Sequence, residues 1–438
     1  MKSYSMKDFK SSQIHPAIIE YLAGIEITKP TEIQAKTIPI LLNHEGDFVG
    51  RSATGTGKTF AFGAPLLSRV DTQKGTVQAV VLVPTRELCE QVGKELAALG
   101  AGIDGLNIEA IYGGVALKTQ IQGLSNGVHV VVATPGRLMD LVNRKVIDLS
   151  ALKFVVFDEA DEMLLKGFST DIDQILATSN RSYSSWLFSA TMPSEVNTII
   201  KKYLNKSLER ILLGPKNATN EGITHQIVEL TAEEKQNVLL HFLTRFGDQK
   251  GLIFCRTKSG VQKLYKQLSA AKFSSAALHG DLPQGLRNKV MEQFREGHIN
   301  ILIATDVAAR GVDIDDIAFV IQYHLPDTKE AYTHRSGRTS RAGKTGTNIT
   351  FVFPEEKEKL EELKAIMKVE FEHLPVPGIK DQLLNNAILW GRKIAAAKPV
   401  HDKLTDEEKQ AFKNELNHMS KDEILEKLLA NHLREIQD

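Results

Sequence analysis

The sequence predicts an α/β protein: two doubly wound parallel-sheet domains in tandem, joined by a flexible linker and followed by a small helical extension. Three observations predict it. Short apolar runs alternate with helix-compatible segments through the first half of the chain, as strands buried on both faces of a parallel sheet require. A stretch rich in Gly, Pro and Asn, residues 214–222, interrupts that alternation, which then restarts and continues to 354. From 355 to 438 the chain turns charged and helical.

The bulk numbers agree. At about 150 residues per domain, a chain of 438 residues holds two to three domains. Hydrophobic residues at 42% and charged residues at 25% are ordinary for a globular protein with real cores. The formal charge is zero, which excludes a uniformly basic nucleic-acid binder, so any such surface is local and offset elsewhere. Two cysteines, Cys89 and Cys255, are too few for a disulfide framework and fit a reducing compartment. No apolar run approaches membrane-spanning length, and the N-terminus lacks the apolar segment of a secretion signal. The expected setting is cytoplasmic, with no membrane contact.

In the first domain, read as 1–213, the strands are centred on Phe48-Val49, Ala79–Val83, Val128–Val132, Phe154–Phe157 and Trp186–Phe188. The first leads into Ser52-Ala53-Thr54-Gly55-Thr56-Gly57-Lys58-Thr59 and then helix-compatible Phe60-Ala61-Phe62. Strand, glycine loop and helix start make a phosphate cradle. Gly55 and Gly57 let successive N–H groups turn inward, and the first helical turn adds unpaired donors and partial positive charge. Thr54 and Thr56 complete the loop, Lys58 is placed to reach outer phosphates as a point charge, and the Thr59 hydroxyl to sit on magnesium. The general pattern carries glycine at the position of Ser52, so the match is to its second half. A tight strand-to-helix turn would look similar; Gly-Lys-Thr in a βα context favours the nucleotide.

Asp158-Glu159-Ala160-Asp161 directly follows the strand Phe154–Phe157. Carboxylates there face the crevice onto which a phosphate loop of the same sheet opens. Asp158 is placed to hold magnesium and Glu159 to orient the attacking water. A helix N-terminus complementing its dipole would also be acidic; the Gly-Lys-Thr loop about a hundred residues upstream tips the balance to catalysis.

The second domain, read as 223–354, has strands at Gly251–Cys255, Ser275–Leu278, Ile299–Ile303, Phe319–Ile321 and Ile349–Phe353, and no phosphate loop of its own. It is therefore expected to close over a nucleotide held by the first. In the extension, Thr405 with Glu408 and Ser420 with Glu423 have capping-box spacing. Leu425, Leu428, Leu429, Leu433 and Ile436 form one apolar stripe, expected to pack on the second domain. This end is mildly acidic, 14 Lys and Arg against 18 Asp and Glu, so it is no basic RNA-binding tail. A role for its helices in dimerisation or in holding a protein partner stays open.

In motif order and spacing, from about Phe9 to Phe353, the chain resembles the DEAD-box ATP-dependent RNA helicases. The resemblance implies RecA-like domains, ATP with Mg2+, and RNA as partner. Pro30-Thr31-Glu32-Ile33-Gln34 looks like the family's adenine-reading element, in which Gln34 would bond the adenine edge and Phe9 stack on the ring. The family usually shows Gly and an aromatic where this chain has Glu26-Ile27. Pro84-Thr85-Arg86, Gly113-Gly114 and Thr134-Pro135-Gly136-Arg137 match RNA-contacting motifs. Their hydroxyls, exposed N–H groups and arginines suit phosphate oxygens without reading bases. Read singly, each is only a β-to-α turn. Ser189-Ala190-Thr191 resembles the element coupling the ATP and RNA sites, with Asp161 and His334 as further links.

In the second domain Thr257, His279-Gly280-Asp281 and Thr305-Asp306 resemble RNA-side motifs, and Asp313 lies where the family contacts the ribose. In His334-Arg335-Ser336-Gly337-Arg338-Thr339-Ser340-Arg341 the equivalents of Arg338 and Arg341 reach the γ-phosphate. The family usually has Ile and Gly in place of Ser336 and Ser340. A solvated basic patch would have the same composition. The implied activity is RNA-dependent ATP hydrolysis with local, non-processive strand separation. An ATP-gated RNA clamp uses the same motifs, and a DNA-directed motor differs only in contacts to the 2′-hydroxyl.

Overall fold

The computed structural model describes the chain except for residues 1–5, 11, 54, 166, 181, 193, 205–206, 214–221, 310–316, 341–344, 368, 398–403 and 438. Thr54, Asp313, Arg341 and nearly all of the 214–222 connector lie outside the described residues. Two compact units result, one built mostly from the chain through Leu213 and one mostly from Gly222 onward.

The first unit is a seven-stranded parallel sheet: β1 Phe48–Arg51, β2 Ala79–Leu82, β3 Ile108–Ile111, β4 Val130–Ala133, β5 Phe154–Phe157, β6 Ser184–Ser189 and β7 Glu209–Leu212. Their order is β3-β4-β2-β5-β6-β1-β7. The inner strands β1, β2, β4, β5 and β6 are buried throughout, which is why they read as unbroken apolar runs. Helices cover both faces, giving two apolar layers. Phe48, Phe62, Trp186 and Phe188 anchor one layer, and Val49, Phe157, Leu187 and Met163 belong to the other. Alternate residues of one strand thus feed opposite cores, as the pleat dictates.

The second unit repeats the plan with β8 Ile223–Glu229, β9 Gly251–Phe254, β10 Ser275–Leu278, β11 Ile301–Ala304, β12 Phe319–Gln322, β13 Gly346–Val352 and β14 Glu372–His373. All pairs are parallel, in the order β10-β11-β9-β12-β13-β8-β14. Both expected sheets are thus present, each with two strands more than the five read from sequence.

Both expected capping boxes form in the extension: Glu408 accepts from Thr405 N at 2.7 Å and Glu423 from Ser420 N at 2.8 Å. The apolar stripe does not pack as expected. Leu425, Leu428 and Leu429 are exposed; the helix Lys421–Gln437 meets the helix Ile379–Ala395 instead, with His432 stacked on Trp390 at 4.5 Å. It is Ile379–Ala395 that rests on the sheet unit, against the helix Lys235–Phe246. Among the described residues no helix is long and apolar enough to cross a membrane.

Candidate functional site

Sheet order decides which loops meet. In a parallel sheet the loops at the carboxyl ends of neighbouring strands share one crevice. Strand β6 lies between β1 and β5, so Ser189-Ala190-Thr191 emerges between the phosphate loop and the Asp158–Asp161 segment. Strands β2, β4 and β3 continue the row on the other side of β5, carrying Pro84–Arg86, Thr134–Arg137 and Gly113-Gly114.

The phosphate loop is tied by its own hydrogen bonds. Gly55 and Gly57 take left-handed conformations with φ of 75° and 84°, costly for any residue with a Cβ. Ser52 Oγ lies 2.7 Å from Thr56 Oγ1, which donates to Ala53 O at 2.8 Å. Lys58 opens the helix Lys58–Arg69 and curls back to donate to Ser52 O at 3.0 Å and Ala53 O at 2.9 Å. Its charge is thus held against the backbone that opens the loop.

Gln34 braces this loop. It belongs to the helix Glu32–Asn43 and is only 6% exposed. Its Nε2 donates to Gly57 O at 3.1 Å, and its Oε1 accepts from Thr31 N at 2.9 Å. Thr31 adds a second tie, donating from Oγ1 to Thr56 O at 2.8 Å. A Cβ on Gly57 would lie 2.3 Å from Gln34 Nε2, so the glycine is required twice, by dihedral and by proximity. The amide keeps one N–H and one lone pair beyond these bonds, enough to read an adenine edge. Phe9 differs from expectation: at 3% exposure it belongs to the apolar core with Met6, Ile14 and Ile33, and presents no open ring face for stacking.

On the far side of β6, Asp158 is 4% exposed, and burial, with Glu159 adding like charge, pushes its carboxyl up to about 7 despite the opposing pull of Lys58. Glu159 N donates to Asp158 Oδ1 at 3.0 Å, and Glu159 itself has φ of 50°, a strained conformation for a residue bearing a Cβ. Asp161 turns the other way: its Oδ2 accepts from Thr191 N at 3.1 Å and from Thr191 Oγ1 at 2.5 Å. Ser189 Oγ donates to Thr191 O at 2.7 Å, and Ser52 N donates to Ser189 O at 3.3 Å. A continuous chain of bonds therefore runs from phosphate loop to acidic segment through Ser189 and Thr191.

In the other half of the row, the exposed Arg86 lies over Gly113-Gly114: a Cβ on Gly114, whose φ is 91°, would come 2.6 Å from its Nη1. Arg137 donates to Val115 O at 3.3 Å and to Gln120 Oε1 at 2.6 Å, and Gln120 Nε2 donates to Tyr112 O at 3.0 Å. Two guanidiniums and a glycine turn thus share one edge. Thr85 caps the helix Arg86–Leu99, accepting from Leu88 N at 3.1 Å, with Pro84 beside it. Thr134 N–H donates to Ile111 O at 3.0 Å, leaving the helix Pro135–Asn143, with Gly136 exposed in its first turn, to point its N-terminus outward.

The second unit brings its own loops together at the ends of β9, β10 and β11. Thr257 caps the helix Lys258–Ala270 through Gly260 N at 3.0 Å. His279 bonds Gln262, and Asp281 pairs with Lys258, which passes over Gly280. Thr305 N–H donates to Leu278 O at 3.4 Å. Asp306 has a partner that its motif did not announce. Its two oxygens accept from Arg335 Nε at 2.6 Å and Nη2 at 2.7 Å, a fork that braces Arg335. Arg338 Nε donates to His334 O at 3.3 Å, so those two candidates adjoin on one turn.

The DEAD/DEAH box helicase family matches residues 31–199, and the helicase conserved C-terminal domain matches 234–343. The chain is 38% identical over 389 residues to the DEAD-box ATP-dependent RNA helicase CshA of Bacillus cereus, covering 89% of this chain and 74% of that protein. The chain belongs to the DEAD-box family of ATP-dependent RNA helicases. It is also 40% identical to the ATP-dependent RNA helicase DeaD of Mycobacterium tuberculosis, over 86% of this chain and 66% of that one. Among solved structures it resembles Saccharomyces cerevisiae Dbp5 bound to RNA and ADP BeF3, with a TM-score of 0.79, 28% identity, 88% of this chain covered and 100% of that chain.

Two departures from the DEAD-box pattern now have a structural description. Glu26 and Ser340, standing where the family usually has glycine, both adopt left-handed backbone, with φ of 60° and 59°. The backbone shape is kept and the strain accepted, about 1–2 kcal/mol at each. Sequence reasoning gave no role to Thr31, Gln120 or Arg335. Thr31 stood inside a quoted motif; Gln120 carried no signal at all, since only folding brings it to Arg137.

Proposed function

We propose that this DEAD-box protein is an RNA-stimulated ATPase that works by shutting its two domains around ATP and a single RNA strand. What carries this reading is the row of strand ends in the first unit. The phosphate loop, Ser189–Thr191 and Asp158–Asp161 stand side by side, and Arg86, Gly113-Gly114 and Arg137 continue the same edge. A nucleotide and a nucleic-acid backbone laid along one edge share a set of bonded loops, so each should favour the same closed state and tighten the other's binding.

In this mechanism Gln34 reads adenine, and the loop amides with Lys58 bind the phosphates. Glu159 orients the attacking water towards the terminal phosphorus. Arg338, and Arg341 with it, spread over charge developing on the transferred group, a contribution of about 10³ or more in rate. Magnesium would be held by Thr59 and Asp158, and the donor set fits it. Asp158 is a buried carboxylate with like charge beside it, an environment a cation would relieve. Phosphates and water would supply the remaining ligands, and the ion when bound would neutralise phosphate charge. RNA is held through its backbone without base reading, and strand bending on closure gives local, non-processive unwinding. Family members named as RNA helicases, and Dbp5 captured with RNA, support RNA over DNA.

The test compares ATP hydrolysis with RNA and with DNA oligonucleotides, in the wild type and in Arg338→Ala. RNA alone should stimulate, and the variant should lose stimulated hydrolysis while still binding nucleotide. Equal rates with and without RNA would overturn the reading. Release of a short duplex separates unwinding from an ATP-gated clamp.

A further inference from the structure

A polar chain crosses one face of the second sheet, where an apolar layer would be cheaper. His225 on β8, Asn348 and Thr350 on β13 and Gln322 on β12 point to the same side, since His225 pairs with Asn348 and Gln322 with Thr350 in register. Their opposite-parity neighbours, Ile321, Ile349 and Phe351, build an apolar core on the other side. All four are buried, Gln322, Asn348 and Thr350 completely. Tyr332, 1% exposed, comes down from the helix Lys329–Ser336 and meets His225 Nδ1 at 2.7 Å. Asn348 Nδ2 donates to the Tyr332 hydroxyl at 2.7 Å, and Asn348 Oδ1 accepts from Gln322 Nε2 at 3.0 Å. Arg335 closes the chain: its Nη1 lies 3.5 Å from Gln322 Oε1 and donates to His324 O at 3.2 Å, while Asp306 takes its other edge.

The consequence lies in the eight-residue helix. Its sequence, Lys-Glu-Ala-Tyr-Thr-His-Arg-Ser, has no apolar stripe to fix its rotation. Tyr332 and Arg335, three residues apart and on one helical face, are held by the polar chain. Arg338 follows at the next turn, its N–H donating to Arg335 O at 3.2 Å. We propose that Gln322 and Tyr332 are positioning residues for Arg338, acting through Arg335 and the helix turn that carries both arginines. This rests on the reading that Arg338 serves hydrolysis. Burying four polar side chains costs free energy unless each is bonded, and here the bonds lead to the one turn whose aim matters for the chemistry.

The experiment is a double-mutant cycle on the full chain, with RNA-stimulated kcat and the KM for ATP measured. Gln322→Leu and Tyr332→Phe should each lower kcat about tenfold, the scale of one lost buried bond to a charged or bridging group. The KM for ATP should not change, because the phosphate loop lies in the other domain. In an Arg338→Ala background neither substitution should lower kcat further. A structural role alone would instead lower thermal stability and multiply the Arg338→Ala loss; such additivity, or an unchanged kcat in both single variants, overturns the proposal. If Arg338→Ala itself keeps wild-type turnover, the functional reading fails first, and visibly so. Should Gln322→Leu not fold, Tyr332→Phe, which deletes one oxygen, carries the same cycle.

Discussion

Asp158→Asn should make the free protein more stable and catalytically dead, and the gain should depend on pH. The carboxyl is displaced from an ordinary 3.8 to about 7, mainly by burial and then by Glu159. At about 1.4 kcal/mol per pH unit of displacement, the ionised form costs the fold about 4 kcal/mol. The sign follows from proton counting. Between pH 4 and 7 the folded state holds a proton that the unfolded state has released, so stability falls as pH rises through that window. Below pH 4 both states are protonated and the cost is absent; above pH 7 it is complete. Asparagine keeps the acceptor for Glu159 N and removes the charge. Of the protein's two tryptophans, Trp186 lies in the core of the first unit and Trp390 in the extension. In a Trp390→Phe background, denaturant unfolding followed by fluorescence therefore reports on the first unit. The advantage of Asp158→Asn should be small at pH 4 and reach several kcal/mol at pH 8. An advantage equal at both pH values would refute the buried-charge account.

Glu159→Gln should retain ATP binding and lose turnover by about 10²-fold or more, read by nucleotide titration beside a phosphate-release assay; retained turnover removes Glu159 from water orientation. Gln34→Ala deletes bonds to both Gly57 and Thr31, and should erode the preference for ATP over GTP about tenfold, measured as a ratio of kcat/KM values. Glu26→Gly and Ser340→Gly each relieve left-handed strain, offset in part by the entropy of an unfolded glycine. Each should raise Tm by about 1–3 °C, and a fall in Tm would show that these side chains contribute bonds worth more than the strain.

Much of the fold was legible because the inner strands are buried on both sides, and double burial writes itself as an apolar run. The strands that escaped notice are chiefly at or near edges. Glu209–Leu212 is mostly exposed and Ile108–Ile111 half-buried, while Ile223–Glu229 hides His225 and Gln226 among its apolar residues. For the site, local chemistry sufficed where a motif makes its own geometry: the left-handed glycines of the phosphate loop and the carboxylates that follow β5. It failed where a partner arrives from elsewhere in the chain. Nothing near Asp306 announces Arg335, 29 residues on, and nothing in the first turn of the chain says that Phe9 will be buried. The exposed leucines of the last helix show the converse: periodicity reports an apolar face without saying what covers it.

On the proposed reading of Gln34 as the adenine reader, its contact with Gly57 would tie base selection to the shape of the phosphate loop. An engineer wishing this enzyme to accept another base could not exchange the side chain at 34 in isolation, because the same amide props the turn at 57 from behind. On that reading fuel identity and grip strength would be set by one joint, and altering either should disturb both.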